Sequence, residues 1–208
     1  MDMDMDVATV DRLMMAHCIG LSKASGKAGE YPYAAVISRE GTIVAESTNR
    51  VTHEHDVTRH AEIVAISRAQ RTLGTISLDD CEIYINAEPC AMCSFAIRES
   101  RIRRVVYGLN SPHMGGVTKW NVLSDMDLST AMPEVFAPPP EIVSGYMEKE
   151  VEQALIEWNP LVARIIKHRH LFGSAPRIHT DIMPRPVGAR ERVFRFLRRN
   201  FFDYFGRR

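Results

Sequence analysis

Between Val7 and Ala24 the positions Val10, Leu13, Met14 and His17 recur three and four residues apart, which predicts a helix with one buried face. Gly26 and Gly29 mark its end. Tyr33–Ser38 and Thr42–Glu46 then read as two strands joined by a turn at Glu40-Gly41. Helical spacing returns from His60 to Leu73, where Ile63, Ile66 and Leu73 mark the buried face and Gly74 closes it. Glu82–Asn86 is a short strand that runs into Pro89-Cys90, where a further helix starts and reaches about Arg98. Arg103–Tyr107 is the next strand. Strands alternating with helices predict a layered α/β domain.

Beyond Tyr107 the pattern loosens. Ser111–Trp120 is a glycine-bearing loop and Pro133–Pro140 a proline-rich irregular stretch. Glu148–His168 is a charged amphipathic helix that Pro160 must interrupt or kink. Gly173–Gly188, with Pro176, Pro184 and Pro186, reads as a linker, and Ala189–Phe205 as a last helix dense in arginine and phenylalanine. The expected organisation is a disordered N-terminus (1–6), one domain (7–172), a linker (173–188) and a basic aromatic helix (189–208). No internal repeat is visible.

Composition narrows the classes. At 208 residues, 45% hydrophobic and 25% charged, the chain matches a soluble globular protein. No apolar run approaches the roughly 18 residues of a membrane span, and Met1–Asp6 lacks the basic and apolar regions of a secretory signal. Only Cys18, Cys81, Cys90 and Cys93 are present, which argues against a disulfide framework and for a reducing cytoplasm. The zero net charge hides an asymmetry: residues 164–208 hold 12 basic and 3 acidic side chains, leaving the body acidic. In the last helix Val193, Phe194, Leu197, Phe201, Tyr204 and Phe205 share a face opposite several arginines. Such a helix suits packing on the domain or a partner subunit; RNA phosphates and an anionic membrane surface are alternative contacts.

His60-Ala61-Glu62 and Pro89-Cys90-Ala91-Met92-Cys93 carry the chemistry. A catalytic zinc usually takes three protein ligands and leaves one position for water. His60, Cys90 and Cys93 supply that number, and both motifs fall at predicted helix starts, whose partial positive charge favours thiolates. Two thiolates cancel the charge of the ion and weaken its effect on water, so a nearby base is needed. Glu62, two residues past the ligand, fits that role. Cys-x-x-Cys alone would also suit a redox pair, and a closed structural zinc site would need a fourth ligand from His53, His55 or Cys81.

The pairing of H-x-E with P-C-x-x-C is the signature of zinc-dependent nucleobase deaminases. From about Val7 to Gly116 the chain resembles the cytidine deaminase-like superfamily, in the branch of guanine deaminases and tRNA-specific adenosine deaminases. The resemblance rests on Tyr31–Val36, Asn49, Asp56–Ile63, Ala87–Cys93 and Arg101–Gly108. It implies a three-layer fold with a mixed five-stranded sheet, zinc on His60, Cys90 and Cys93, and Glu62 as proton shuttle. It also implies base contacts from Asn49, the Ala61 backbone N–H and Glu88, although Glu88 suits a bracing role equally well. Homodimers or larger assemblies are usual in this branch.

One departure bears on the substrate. The loop after Tyr107 reads Leu109-Asn110-Ser111-Pro112-His113-Met114-Gly115-Gly116, without the acidic residue the branch carries there. His113 is the candidate replacement contact. His53 and His55 are candidates for support around the site, and Trp120 and Trp158 for core, dimer or base-stacking roles. The expected activity is deamination of a small base or nucleoside, such as guanine or a related amino-heterocycle. The alternatives are a tRNA adenosine deaminase and a non-catalytic zinc-stabilised RNA-binding protein. The intact Glu62 opposes the last, and the acidic body opposes tRNA.

Overall fold

The computed structural model describes residues 6–173, so the linker and the last helix expected from the sequence lie almost wholly outside the described residues. Five strands form one mixed sheet in the order β2-β1-β3-β4-β5: β1 Ala34–Arg39, β2 Thr42–Thr48, β3 Cys81–Ala87, β4 Arg104–Leu109 and β5 Glu141–Val143. β1 runs antiparallel to both β2 and β3, whereas β3, β4 and β5 are mutually parallel. The helices are α1 Val7–Lys27, α2 Val51–Glu54, α3 Ala61–Leu73, α4 Ala91–Glu99, α5 Met126–Ala131, α6 Glu148–Trp158 and α7 Pro160–His168.

Alternation along the strands makes two cores, one on each face of the sheet. Ala35 and Ile37 of β1 join Ile83, Ile85, Val105 and Tyr107 under α3 and α4. Ala34 and Val36 join Tyr84 and Val106 under α1 and α6. The result is the expected three-layer α/β arrangement. α3 meets the sheet through Ala61, Ala65 and Ala69, all fully buried, with Val64 and Ile66. The expected face through Ile63 and Leu73 is only half-buried, because the small alanines bring the backbone against the strands instead.

The face of α1 also differs from expectation. Leu13 and His17 are exposed, and the buried positions are Asp11, Met14, Met15, Cys18, Ile19, Ser22 and Ser25. The cause is a buried ion pair: Arg104 donates to both Asp11 oxygens at 2.6 and 2.7 Å, and the Tyr84 hydroxyl donates to Asp11 at 2.8 Å. That pair selects the face. Asp6, expected in the disordered N-terminus, accepts from Thr9 N at 3.0 Å and caps α1. α5 and β5 were not legible from the pattern; β5 is three residues long and emerges from the proline-rich stretch. Pro160 divides the expected helix as required, opening α7, while the Asn159 side chain accepts from Leu161 N and Val162 N, both at 3.1 Å.

Candidate active site

His60 and Cys90 are the residues that precede the first turns of α3 and α4, and Cys93 lies in the first turn of α4. α4 follows β3, and α3 follows β2 by way of α2 and a short loop; both start at the same end of the sheet, so their N-termini converge. The Cys90 Sγ–Cys93 Sγ separation is 3.6 Å, and the two sulfurs lie 3.6 and 3.5 Å from His60 Nδ1. A tetrahedral zinc with Zn–S of about 2.3 Å and Zn–N of about 2.0–2.1 Å places such atoms roughly 3.6–3.8 Å apart, so this triangle has the size a zinc ion requires. The sulfurs are far from the roughly 2.05 Å of a disulfide. Among the described residues this is the one group of three or more metal-binding side chains of that compactness. The fourth ligands considered from the sequence are elsewhere: Cys81 donates to Asp80 at 3.3 Å, the His53 ring lies 3.2 Å from Ala28 O, and His55 ends α2. The set is therefore open.

Glu62, in the first turn of α3, is 7% exposed and lines the adjoining cleft. Burial, followed by the charge of Cys90, pushes its carboxyl above the usual range. A hydrogen bond from Cys93 lowers Cys90 to about 4, aided by His60, and raises Cys93 correspondingly. The bond to Cys90 raises His60. Of the two sulfurs, Cys90 is the one whose surroundings favour the thiolate form that a metal ligand takes.

The loop after β4 is laid over this cluster. Glu88, for which the sequence suited a base contact and a bracing role equally, lines the cleft, and both its oxygens accept from protein donors. It accepts from Ser111 N at 2.6 Å, Val117 N at 2.8 Å, Thr118 N at 2.7 Å and Thr118 Oγ1 at 2.8 Å. These four bonds tie the loop to the end of β3. Gly115 bridges to Cys90, and Gly116 N donates to Pro89 O at 2.8 Å. A Cβ at Gly115 would strike Glu88, and one at Gly116 would strike Ser94, so only glycine allows this close approach. The loop in turn carries His113 and Met114, both exposed, to the rim of the cleft.

Asn49 is buried and lines the same cleft. Its Nδ2 donates to Glu30 Oε1 at 2.9 Å. Ala61 opens α3 fully buried; as a first-turn residue its N–H has no partner within the helix. Two groups of residues escaped the sequence reading. Glu30 carried no motif. Ile166, Leu171 and Phe172, from α7 and the residues after it, form an apolar wall with Tyr31 and Tyr33; nothing in their spacing linked them to the site. Trp120 is exposed, and Trp158 packs against Tyr31 and Gly26 away from the metal-binding atoms. The cleft measures about 450 Å³. A hollow of about 550 Å³ between α6, α7 and the end of β4 contains none of the metal-binding residues, so the chemistry belongs to the smaller cleft.

A half-open ligand triangle with a buried carboxylate beside it defines a metal-assisted hydrolase, and comparison with known proteins agrees. Residues 8–109 match the cytidine and deoxycytidylate deaminase zinc-binding region. The chain is 36% identical over 132 residues to the tRNA-specific adenosine deaminase of Aquifex aeolicus, covering 62% of this chain and 87% of that protein. It is 42% identical over 96 residues to the guanine deaminase of Bacillus subtilis, covering 46% of this chain and 59% of that one. A solved structure of a tRNA:A34 deaminase superposes with a TM-score of 0.58 at 32% identity, over 69% of this chain and 99% of that one. The chain belongs to this family of zinc-dependent deaminases.

Proposed function

We propose that this protein hydrolytically replaces the exocyclic amino group of a purine, as free base or nucleoside, by oxygen and releases ammonia. The observation that carries the reading is Glu62, buried in a cleft beside the open His60–Cys90–Cys93 triangle. When bound there, zinc would supply the Lewis acidity that makes water nucleophilic near neutral pH. Glu62 takes the proton of the attacking water, holds it away from solvent, and delivers it to the ring nitrogen beside the carbon under attack. As the carbon–nitrogen bond breaks, a further proton passes through Glu62 to the leaving amine. Asn49, the Ala61 N–H and His113 orient the ring.

Two kinds of relative act on purines by name, adenosine in tRNA and guanine. The wall side chains of Ile166, Leu171 and Phe172 favour the small substrate, since they are apolar, suit the face of a ring and themselves carry no donor for a phosphate. Deamination of adenosine in tRNA is the second reading, favoured by that relative and by Arg164, Lys167 and Arg169 on the segment that bears the wall. We also propose a homodimer through α4, supported by Met92 and Phe95, which are exposed there; light scattering would give a mass near 47 kDa rather than the 23.6 kDa of one chain. The activity test is ammonia release from guanine, adenine, cytosine and their nucleosides beside an anticodon stem-loop RNA. Turnover of a free purine with no inosine in the RNA is expected, and inosine in the RNA alone would establish the second reading.

A further inference from the structure

Glu30 has no place in the chemistry above, yet it is among the most completely engaged carboxylates of the described chain. It is 2% exposed. Its Oε1 accepts from Tyr31 N at 2.9 Å, Asn49 Nδ2 at 2.9 Å and Thr52 Oγ1 at 2.8 Å. Its Oε2 accepts from Thr52 N at 2.8 Å and His53 N at 3.1 Å. Every group around it is a donor. Burial alone would raise its pKa, but these donors prevail and hold it at about 2, so it is an anion wherever the protein is folded near neutral pH.

The consequence falls on Asn49. A carboxamide can turn end for end at little cost unless a neighbour distinguishes oxygen from nitrogen. An anionic oxygen at 2.9 Å does so, because only the NH2 end can face it. Asn49 N donates to Tyr33 O at 2.9 Å and Arg50 N to Arg59 O at 3.0 Å, which fixes the backbone between β1 and the residue before His60. The amide oxygen is thereby turned from Glu30, and among the described residues it has no hydrogen-bond partner although Asn49 lines the cleft. One wall of the cleft therefore offers a preset acceptor.

We propose that Glu30 is a positioning residue that sets substrate selectivity by locking the Asn49 carboxamide in one orientation, so that the cleft selects a ring edge presenting an N–H donor to the Asn49 oxygen. This rests on the reading of Asn49 as a base contact. A carboxamide in place of Glu30 must aim its own NH2 at donors on one side or the other, and it removes the charge that distinguishes the two ends of Asn49. The lost discrimination belongs to Asn49, so it should disappear when Asn49 has no amide.

The test is a double-mutant cycle on the full zinc-loaded chain with Glu30→Gln, Asn49→Ala and the double variant. Two readouts are taken: kcat and KM for ammonia release from guanine and adenosine, and the Kd of each by calorimetry. Zinc content and melting temperature accompany both. We expect Glu30→Gln to weaken binding and kcat/KM by about tenfold through KM for guanine, whose ring carries N–H donors, and by less than about twofold for adenosine, whose ring carries none, with zinc still at one per chain, and to change neither by more than about twofold in the Asn49→Ala background. An equal loss in both backgrounds would show that Glu30 merely supports the fold, and no loss in either would equally overturn the proposal. If the parent protein binds a purine without releasing ammonia, the deaminase reading fails while the four Kd values still decide the role of Glu30. Failure to bind either purine would overturn both.

Discussion

The metal-binding end of the sheet and the apolar wall that faces it across the cleft are constructed in contrasting ways. His60, Cys90 and Cys93 sit at two helix starts, under a loop whose backbone is tied down by Glu88 and by two glycines in close contact. α7 has no fully buried residue; Leu161 and Ile165 are 69% and 51% exposed. The wall is held by Phe172 against Tyr33, at 6.1 Å between ring centroids, and by Gly173 N donating to Asn110 O at 3.2 Å. The rigid side determines the reaction. The lightly held side, with Ile166, Leu171 and Phe172, lines the cleft without touching the metal-binding atoms.

The contrast can be broken by mutation, beginning with the largest effect. Cys90→Ser removes a thiolate ligand; we expect zinc below about 0.1 per chain after dialysis and no measurable turnover, by plasma emission and ammonia assay. Glu88→Gln leaves every ligand in place but loosens the loop over them. A fall in kcat of about 10–100-fold with zinc retained is expected, comparable to losses from outer supports of metal ligands. Phe172→Ala thins the wall and should raise KM by several-fold with kcat nearly unchanged, the mark of lost uniform binding. Equal loss of kcat would mean that the wall takes part in the chemistry.

The smallest effect on catalysis is expected from the opposite face of the sheet. Asp11→Asn leaves the buried Arg104 with only the exposed Glu141, 3.3 Å from its Nε, as a charge partner and should cost about 3 kcal/mol of stability in urea titration, while kcat/KM at 25 °C stays within about twofold. Burial opposes the ionised form of Asp11, but Arg104 and Tyr84 outweigh it and depress its pKa below the ordinary 3.8. Its contribution is therefore complete above the unfolded value and is lost as pH falls through the folded one. The parent should lose stability as the pH falls below about 4 more steeply than Asp11→Asn does.

Much of the rigid side was legible in the sequence because it is written in local signals. A ligand, its neighbour and a helix start lie within three residues at His60 and within five at Pro89–Cys93, and Pro160 and Asn159 announce their own break. The misread helix faces share a different cause. On α1 the decisive partner of Asp11 is Arg104, 93 positions away, and a charged residue at a buried position contradicts a hydrophobic pattern. On α3 alanine packs closely without raising the apolar signal. β5 is too short to show a period. Glu30 and Phe172 reach the site only through tertiary contacts, and neither residue type advertises a role at its position.

The central claim is hydrolysis at this cleft with Glu62 moving the protons. The most direct measurement is a single-turnover reaction in H₂¹⁸O with the purine found active in the ammonia screen, comparing the parent protein with Glu62→Gln at equal zinc content. We expect one ¹⁸O in the parent's deaminated product and a rate at least about 10³-fold lower for Glu62→Gln. Product formed by Glu62→Gln at the parent's rate, or product without ¹⁸O, would contradict it.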